Sequence, residues 1–416
     1  MGESVLTLAH STLEDIAGEV GTPVYVYDAD AIRASYERLT RAFGTVPHKV
    51  FYSVKSNSNL AILHLMKELG AGADIVSGGE LARTQAAGIP GSDVVFSGVG
   101  KTRPELQAAI DAKLCLINVE SRGEAEAIGE LAADFGSVVN CGIRVNPDVT
   151  TDTHPYTQTG EQGMKFGVPT DEVVPLARWI VEHPNLSLRG VGMHIGSQIT
   201  NADNFRDGAE KLSVLVESVL EAGATEVAWI GVGGGLGIRY TDERPLPAEE
   251  FTAAVSILHQ RFGFPLALEP GRFLVGNAGC VLTRCLYLKR SGNREFAIVD
   301  AGMNDLLRPS LYGAVHGIVT VTPVPDEKSS ASRHQVVDVV GPICESGDFL
   351  GRQVQLSGCE PGALLAVLSA GAYGFTMSSN YNSRPRPVEV LVEGGCWRIV
   401  RERESVQDLL RGESIN

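Results

Sequence analysis

Between about residue 30 and residue 275, short β-rich runs alternate with segments whose apolar residues recur every three or four positions. Such segments indicate amphipathic helices, and a glycine commonly closes them. Eight runs predict strands: VFYSVK (50–55), ADIVS (73–77), VVFSG (94–98), CLINVE (115–120), NCGIRVN (140–146), LRGVGMHIG (188–196), EVAWIGVGG (226–234) and FPLALEPG (264–271). Eight strands that alternate with helices predict an α/β fold of the (β/α)8, TIM-barrel type, with a doubly wound sheet as the alternative.

Beyond Gly279 the helical pattern gives way to successive β-rich runs, from CVLTRCLYLKR to CWRIVRE. These runs predict an antiparallel β domain at the C-terminal end of the chain. The segment TPVYVYDADAI (22–32) either joins that domain or leads into the barrel. We therefore expect a barrel domain over 30–275 and a β domain formed by 276–416 together with 1–29. The polar tract PVPDEKSSASRH (323–334) predicts a mobile surface loop.

Charge and cysteine content narrow the class of protein. The formal net charge of −15 disfavours a nucleic-acid partner, because phosphate backbones attract basic surfaces. The seven cysteines include no Cys-x-x-Cys pair, so neither a disulfide framework nor a metal site is predicted, and a reducing compartment is expected. The start of the sequence does not resemble a secretory signal, and no apolar run approaches the roughly 20 residues needed to span a membrane. We expect a cytoplasmic protein.

Reactive side chains fall at the ends of the predicted strands, where barrel active sites form. They are Lys55, Asp74, Arg144, His194 and Glu269. A glycine cluster, GVGGGLG (231–237), follows the seventh strand of the barrel. Its backbone N–H groups could surround a phosphate, although the same glycines could simply form a tight turn.

Some of these side chains have a structural interpretation beside the functional one. Lys55 could extend out of the barrel rim, or it could form a Schiff base with a carbonyl cofactor. His194 could be a hydrogen-bonded core histidine. A charged Glu269 in a barrel mouth requires a partner, such as a protonated pyridine nitrogen, and Arg272 could bind a carboxylate or a phosphate. Taken together, these groups predict a site for pyridoxal phosphate.

The motifs YSVKSNSN, HIGSQ, GGGLG, LEPGR, AGMNDLLRPSLYGA, GPICESGD and AGAYGFTMSSNYNSR occur in this order along nearly the whole chain. They resemble those of the alanine-racemase-fold (fold type III) pyridoxal-phosphate-dependent decarboxylases, and in particular the diaminopimelate decarboxylases. One small departure is Ser56, which stands where many relatives have alanine. The resemblance implies an alanine-racemase-like barrel and β domain, in a homodimer whose sites are built from both subunits.

The resemblance also implies roles for individual residues. Lys55 would form the Schiff base, His194 would lie against the pyridine face, and Glu269 would reach the pyridine nitrogen. The further implied cofactor contacts are Asp74, Ser197, Gly234, Gly235, Pro270, Gly271, Arg272 and Tyr373. Cys344 and Glu345, in GPICESGD, would enter from the partner subunit. There Cys344 would act as the general acid that protonates the α-carbon, although such a cysteine alone is more often an inert buried thiol.

Diaminopimelate carries a carboxylate and an ammonium group far from its reacting carbon. Arg272 and Arg308 are the expected partners of that carboxylate, and Glu345 is the expected partner of the ammonium. Tyr312 and Tyr373 are further substrate contacts. Arg308 could equally be a structural salt-bridge residue, and the motif around it favours the substrate role.

The resemblance thus implies a carboxy-lyase that converts meso-2,6-diaminopimelate to L-lysine and CO2, the last step of lysine biosynthesis by the diaminopimelate pathway. One alternative is a related decarboxylase acting on ornithine, arginine, carboxynorspermidine or a carrier-linked amino acid. A racemase is a second alternative, but it needs a base on each face of the α-carbon. The non-enzymatic alternative is an inactive homologue that binds a partner.

Overall fold

The computed structural model describes residues 8–150, 160, 163–322 and 334–415. These residues form two compact units. The barrel unit comprises Ser35–Ile238 and Arg244–Phe273, and the sheet unit comprises the described parts of Met1–Ala34, Arg239–Glu243 and Leu274–Asn416. None of the helices in these ranges has both the length and the apolar character that crossing a membrane requires.

The barrel unit contains eight parallel strands in sequential order. They are β2 (His48–Ser53), β3 (Gly72–Ile75), β4 (Val94–Phe96), β5 (Leu116–Val119), β6 (Val139–Val145), β7 (Leu186–Met193), β8 (Trp229–Gly233) and β9 (Leu266–Leu268). The last strand pairs with the first, so that Val50 lies opposite Leu268. This closure confirms the predicted barrel and excludes the doubly wound alternative. Phe51, Val95 and Leu116 pack with Ala267 in an apolar layer of the barrel unit's core.

Helices connect consecutive barrel strands. The helices of the described chain are α1 (His10–Val20), α2 (Ala29–Phe43), α3 (Leu60–Glu68), α4 (Gly78–Ala86), α5 (Arg103–Asp111), α6 (Arg122–Asp134), α7 (Thr170–Glu182), α8 (Ala202–Glu221), α9 (Ala248–Phe262), α10 (Arg272–Val275), α11 (Arg308–Tyr312) and α12 (Val406–Leu409). The starts of α4 and α6 are fixed by serine caps, because the hydroxyls of Ser77 and Ser121 accept the backbone N–H groups of Glu80 and Glu124.

The sheet unit contains the remaining nine strands. They are β1 (Val24–Asp28), β10 (Gly279–Ser291), β11 (Arg294–Val299), β12 (Ile318–Thr322), β13 (His334–Val340), β14 (Phe349–Ser357), β15 (Leu364–Val367), β16 (Val388–Glu393) and β17 (Cys396–Arg401). Seven of them follow one another in the order β14-β13-β11-β10-β1-β16-β17, while β15 pairs with both β10 and β12. The predicted β domain is therefore confirmed.

Two strand pairs depart from the predicted antiparallel pattern. β1 runs parallel to β16, and β11 runs parallel to β13. The first pair joins strands from opposite ends of the chain, so no hairpin constrains its direction. The segment that begins TPVYVYD thus supplies a central strand of this sheet. β14 was not predicted, because FLGRQVQLS mixes polar residues and a glycine into its apolar pattern.

The core of the sheet unit forms where α1 covers the sheet. Leu13 and Ile16 of α1 are fully buried against Val26, Leu282 and Val390 of three neighbouring strands. The predicted mobile loop at 323–334 lies outside the described residues, except for its last residue, which begins β13.

Candidate active site

Lys55 lies directly beyond β2, in a short 3-10 turn at Val54–Ser56. Its Nζ atom is 3.9 Å from Oδ2 of Asp74, which lies in the neighbouring strand β3 and is 1% exposed. Ser53 Oγ lies 2.9 Å from the same Asp74 oxygen and 3.1 Å from the backbone carbonyl oxygen of Glu269. Three strand ends are therefore tied together around the predicted Schiff-base lysine.

Glu269 follows β9, and its carboxyl lies in this same group. Burial, together with the negative charge of Asp74, raises the pKa of Glu269 to about 8, although the positive charges of Lys55 and Arg144 oppose the rise. Burial likewise raises the pKa of Glu80, at the start of α4, to about 7. The site is thus rich in carboxyl groups that would ionise fully only if a further positive charge entered.

His194 lies immediately beyond β7, and its ring is held in one tautomer. Its Nδ1 atom accepts the backbone N–H of Gly234 at 3.1 Å, so the ring proton resides on Nε2 when the imidazole is neutral. Burial lowers the pKa of His194 well below its ordinary value, and the positive charges of Lys55 and Arg144 lower it further. The imidazole therefore remains neutral at physiological pH.

The glycine cluster after β8 is pressed between its neighbours. A β-carbon at Gly234 would overlap the backbone carbonyl of Glu269. Gly235 has a φ of +97°, and a β-carbon there would come within 2.5 Å of the carbonyl oxygen of Gly196. These close approaches require glycine whether or not a ligand binds. They also leave the loop's backbone without side chains that could block a ligand.

Hydrogen bonds join the loops that contain the HIGSQ and GGGLG motifs. Ile199 donates its backbone N–H to the carbonyl of Gly235, and Gly237 donates back to Ile199. The side-chain amide of Gln198 completes the pairing, since it donates to the carbonyl of Ile238 and accepts the N–H of the same residue. Two loops that are 40 residues apart in the sequence are thereby fixed to each other.

Arg272 opens α10 and is 7% exposed. Its Nη2 atom donates to Oγ of Ser197 at 2.9 Å, which brings these two predicted phosphate contacts together. Gly271 fits closely against the turn that carries the lysine, because a β-carbon there would lie 3.0 Å from the side chain of Ser56. Ser56 itself is buried and donates to the carbonyl of Ser53, so the departure from alanine introduces no unsatisfied hydroxyl. The carbonyl of Pro270, which precedes Gly271, accepts the backbone N–H of Ser53.

Arg144, near the end of β6, forms a largely buried ion pair. Its Nη1 atom is 2.9 Å from Oε1 of Glu120, whose carboxylate also accepts the backbone N–H groups of Gly98 and Gly167. This carboxylate fixes the guanidinium at the barrel mouth. Arg144, His194 and Glu269 line one cavity of the barrel unit together with Ser97 and Asn118.

Five predicted site residues belong to the sheet unit: Arg308, Tyr312, Cys344, Glu345 and Tyr373. Arg308 and Tyr312 are the first and last residues of α11. This helix is fixed to the segment that carries Cys344 and Glu345, because Ser310 Oγ donates to the carbonyl of Gly347 at 2.6 Å. Tyr373 is half-buried, and its φ of +57° places it in the left-handed region.

The segment around Cys344 forms hydrogen bonds with the SSNYNSR motif. The backbone N–H of Cys344 donates to Oδ1 of Asn382 at 3.0 Å, and Tyr381 Oη donates to the carboxylate of Glu345. Asp348 stabilises the same segment, since its carboxylate accepts the backbone N–H groups of Ile343 and Met303. Cys344 is exposed, in contrast to the inert buried thiol of the alternative interpretation.

Comparison with known proteins identifies the family. Residues 29–276 match the family described as pyridoxal-dependent decarboxylase, pyridoxal binding domain. The chain is 47% identical over 404 residues to diaminopimelate decarboxylase of Pseudomonas aeruginosa, which covers 97% of this chain and 95% of that protein. It is 44% identical over 395 residues to diaminopimelate decarboxylase of Aquifex aeolicus, covering 95% and 92% of the two chains. The chain belongs to the diaminopimelate decarboxylase family.

Solved structures agree with this assignment. The crystal structure of diaminopimelate decarboxylase from Helicobacter pylori complexed with L-lysine matches with a TM-score of 0.91 and 37% identity, over 96% of this chain and 98% of that chain. The enzyme from M. jannaschii in complex with L-lysine matches with a TM-score of 0.90 and 34% identity, over 97% and 94%. The matches confirm the predicted family and the predicted alanine-racemase-like fold. They also confirm the predicted cofactor, pyridoxal phosphate.

The residues of this diaminopimelate decarboxylase family member fit that cofactor. Asp74 Oδ1 is buried and accepts no hydrogen bond from any described residue. Glu269 beside it holds a proton near neutral pH because burial and Asp74 raise its pKa. A protonated pyridine nitrogen would satisfy both carboxyls. The backbone N–H groups of the glycine loop and the Arg272–Ser197 pair are donors of the kind that a phosphate requires.

Among the residues of the barrel site that the sequence analysis did not select are Ser53, Glu80 and Glu120. Ser53 ends β2 and Glu120 directly follows β5, so the strand-end rule could have found them. Glu80 lies on α4, and only the folded structure brings its charge close to Asp74 and Lys55.

Proposed function

We propose that this chain uses pyridoxal phosphate to remove CO2 from meso-diaminopimelate and release L-lysine. The observation that carries the proposal is the convergence of Lys55, Asp74 and Glu269 at three strand ends of one closed barrel. It supplies a lysine amine for a Schiff base next to carboxyls that suit a pyridinium nitrogen.

Lys55 is the residue that would hold the cofactor covalently. Glu269 and Asp74 would hold the ring nitrogen, and the phosphate would lie against Gly234, Gly235 and the Arg272–Ser197 pair, with Pro270, Gly271 and Tyr373 around it. When bound there, pyridoxal phosphate supplies an electron sink for the electron pair that remains when CO2 leaves.

His194 would form a neutral wall against the pyridine face. Its Nδ1 atom is occupied by the Gly234 N–H, and its lowered pKa keeps it from adding a positive charge next to Lys55. A charged imidazole at this position would compete with Lys55 and with the pyridinium for the two carboxylates. Neutrality of His194 therefore reserves Asp74 and Glu269 for the cofactor.

The substrate's remote end would be recognised by the sheet unit. Arg308 would bind the remote carboxylate together with Arg272, and Glu345 would bind the remote ammonium, with Tyr312 and Tyr373 as further contacts. Cys344 would deliver a proton from Sγ to the carbon that loses CO2. The exposure of Cys344 and its fixed backbone support this role.

We further propose a homodimer in which each site takes Cys344 and Glu345 from the other subunit. A cytoplasmic location suits a chain whose seven cysteines, two of them exposed, are all free thiols. The dimer can be tested by complementation between two inactive variants, Lys55→Ala and Cys344→Ala. Random reassortment of the subunits should restore about a quarter of the normal activity, because half of the dimers are mixed and each mixed dimer has one intact site. No recovery on mixing would contradict shared sites.

The activity is tested by product analysis. The purified chain with pyridoxal phosphate is supplied separately with meso-diaminopimelate, L-lysine, L-ornithine and L-arginine. We expect L-lysine and CO2 from diaminopimelate alone. Turnover of another amino acid instead would retain the decarboxylase assignment and overturn the substrate, and no turnover of any substrate would favour the inactive homologue.

A further inference from the structure

The contacts of Arg308 include His316 and Tyr240, which the sequence analysis did not select. Its side chain is almost completely buried in the sheet unit, with the whole residue 6% exposed. Its Nη1 atom lies 2.8 Å from Nε2 of His316, and the centre of its guanidinium lies 4.6 Å from the centroid of the Tyr240 ring. The Tyr240 ring also packs edge-on against His316, with 5.1 Å between the ring centroids. The three side chains form one contiguous cluster.

The hydrogen bonds of His316 define its protonation. A guanidinium only donates, so Nε2 of His316 must be the acceptor and carries no proton. Nδ1 lies 2.8 Å from the carbonyl oxygen of Leu368, which only accepts, so Nδ1 carries the proton. His316 is therefore a neutral imidazole with both nitrogen atoms engaged, one by Arg308 and one by the backbone.

The position of His316 is rigid. It is 3% exposed and stands two residues before β12, whose Ile318 lies opposite Val367 of β15. Leu368, whose carbonyl accepts the hydrogen bond from Nδ1, donates its own N–H to the carbonyl of Gly317 at 2.8 Å. The imidazole is thus anchored to the end of a strand pair, and it transmits that fixed position to the guanidinium.

Neither of these partners carries a negative charge. A carboxylate in the position of His316 would hold Arg308 equally well and would also cancel its charge. A neutral imidazole and an aromatic face orient the guanidinium without themselves neutralising its positive charge. This arrangement is suited to an arginine that binds a ligand's carboxylate.

We propose that His316 is a positioning residue for Arg308 and so determines selection of substrates that carry a carboxylate remote from the reacting carbon. The proposal rests on the proposed function, in which Arg308 binds that carboxylate. The proposal extends that function, because it attributes the orientation of Arg308 to the neutral acceptor nitrogen of His316. Tyr240 is the surface on which the guanidinium lies.

The test compares His316→Leu, which removes both hydrogen bonds, with His316→Gln, whose amide oxygen can still accept from Arg308. In the holoenzyme, His316→Leu should raise the KM for meso-diaminopimelate by about tenfold, equivalent to about 1.4 kcal/mol. Its kcat and the visible absorbance of the bound cofactor should change little. His316→Gln should recover most of the loss. An equal loss in both variants would overturn the acceptor role.

Ligand binding without turnover gives a second readout. L-Lysine, the product, retains the carboxylate that Arg308 would bind, whereas cadaverine has the two amines and no carboxylate. His316→Leu should raise the inhibition constant of L-lysine by the same factor as the KM and leave that of cadaverine unchanged. Equal weakening of both ligands would show a general structural defect and overturn the proposal.

A double-mutant cycle with Arg308→Met separates this inference from the proposed function. If His316 acts through Arg308, His316→Leu should have no further effect on KM in the Arg308→Met background. Additive effects would overturn the inference. An Arg308→Met variant with an unchanged KM would instead refute the proposed role of Arg308. His64→Leu, at an exposed histidine of α3, is the control for loss of an imidazole and should match the wild type.

Discussion

The carboxyl of the half-buried Glu269 should destabilise the cofactor-free barrel unit as the pH rises, and the variant Glu269→Gln should abolish that destabilisation. Burial and Asp74 raise the pKa of Glu269 from 4.5 to about 8 in the folded protein. Below about pH 4.5 both the folded and the unfolded chain keep the proton, and stability is unaffected. Between about pH 4.5 and 8 the unfolded chain ionises while the folded chain does not, so folding stability is lost progressively.

The size of the loss follows from the pKa. A rise from 4.5 to about 8 corresponds to roughly 5 kcal/mol at about 1.4 kcal/mol for each tenfold change in the ionisation constant. Glu269 lies at the open end of the barrel and is partly exposed to water. Solvent screening reduces the effect there, so we expect about 2–3 kcal/mol at pH 8. Glutamine keeps the shape and removes the ionisation.

The assay is chemical unfolding of the cofactor-free protein at pH 5, 6.5 and 8. The wild type should lose stability over this range relative to Glu269→Gln, which should be the more stable of the two at pH 8 and yet have greatly reduced decarboxylase activity. Glu221→Gln, at an exposed carboxyl at the end of α8, should follow the wild type. The reasoning is refuted if Glu269→Gln shows the same dependence on pH as the wild type.

The remaining predictions concern the two reactive side chains. Lys55→Ala should abolish turnover and the Schiff-base absorbance, because no other amine replaces the one beside Asp74; retention of that absorbance would mean that another lysine carries the cofactor. Cys344→Ala should lower kcat by about 100-fold, the lower range for a general acid, with little change in the affinity for pyridoxal phosphate. The matched control is Cys396→Ala, at the other exposed cysteine of the sheet unit, and equal activity of the two variants would remove Cys344 from the reaction.

Much of the barrel site could be predicted because one rule of the fold brings distant residues together. Lys55, Asp74, His194 and Glu269 each stand at the carboxyl end of a strand, and closing the barrel gathers those ends. The apolar runs fix where each strand ends to within a few residues. Prediction of eight strands therefore carried most of the information on which residues meet.

The sheet unit was harder to predict from the sequence, because its contacts depend on strand pairings that no local pattern specifies. β1 could be placed only as one of two alternatives, since its parallel partner β16 lies more than 350 residues away in the sequence. His316 and Tyr240 were missed for a related reason. A lone histidine in an apolar segment is usually part of the core, and nothing in the sequence indicates that its acceptor nitrogen faces Arg308.

Local groups of the barrel unit explain how a chain with a net charge of −15 can hold an anionic cofactor. The phosphate would be held by groups that do not depend on the overall charge: the backbone of the glycine loop and the Arg272–Ser197 pair. The cationic nitrogen would be held by the carboxyls of Asp74 and Glu269. A ligand with one anionic and one cationic group can satisfy both sets in only one orientation, because the reverse orientation would place the phosphate against the carboxyls of Asp74 and Glu269. The arrangement would therefore favour one orientation of the bound cofactor.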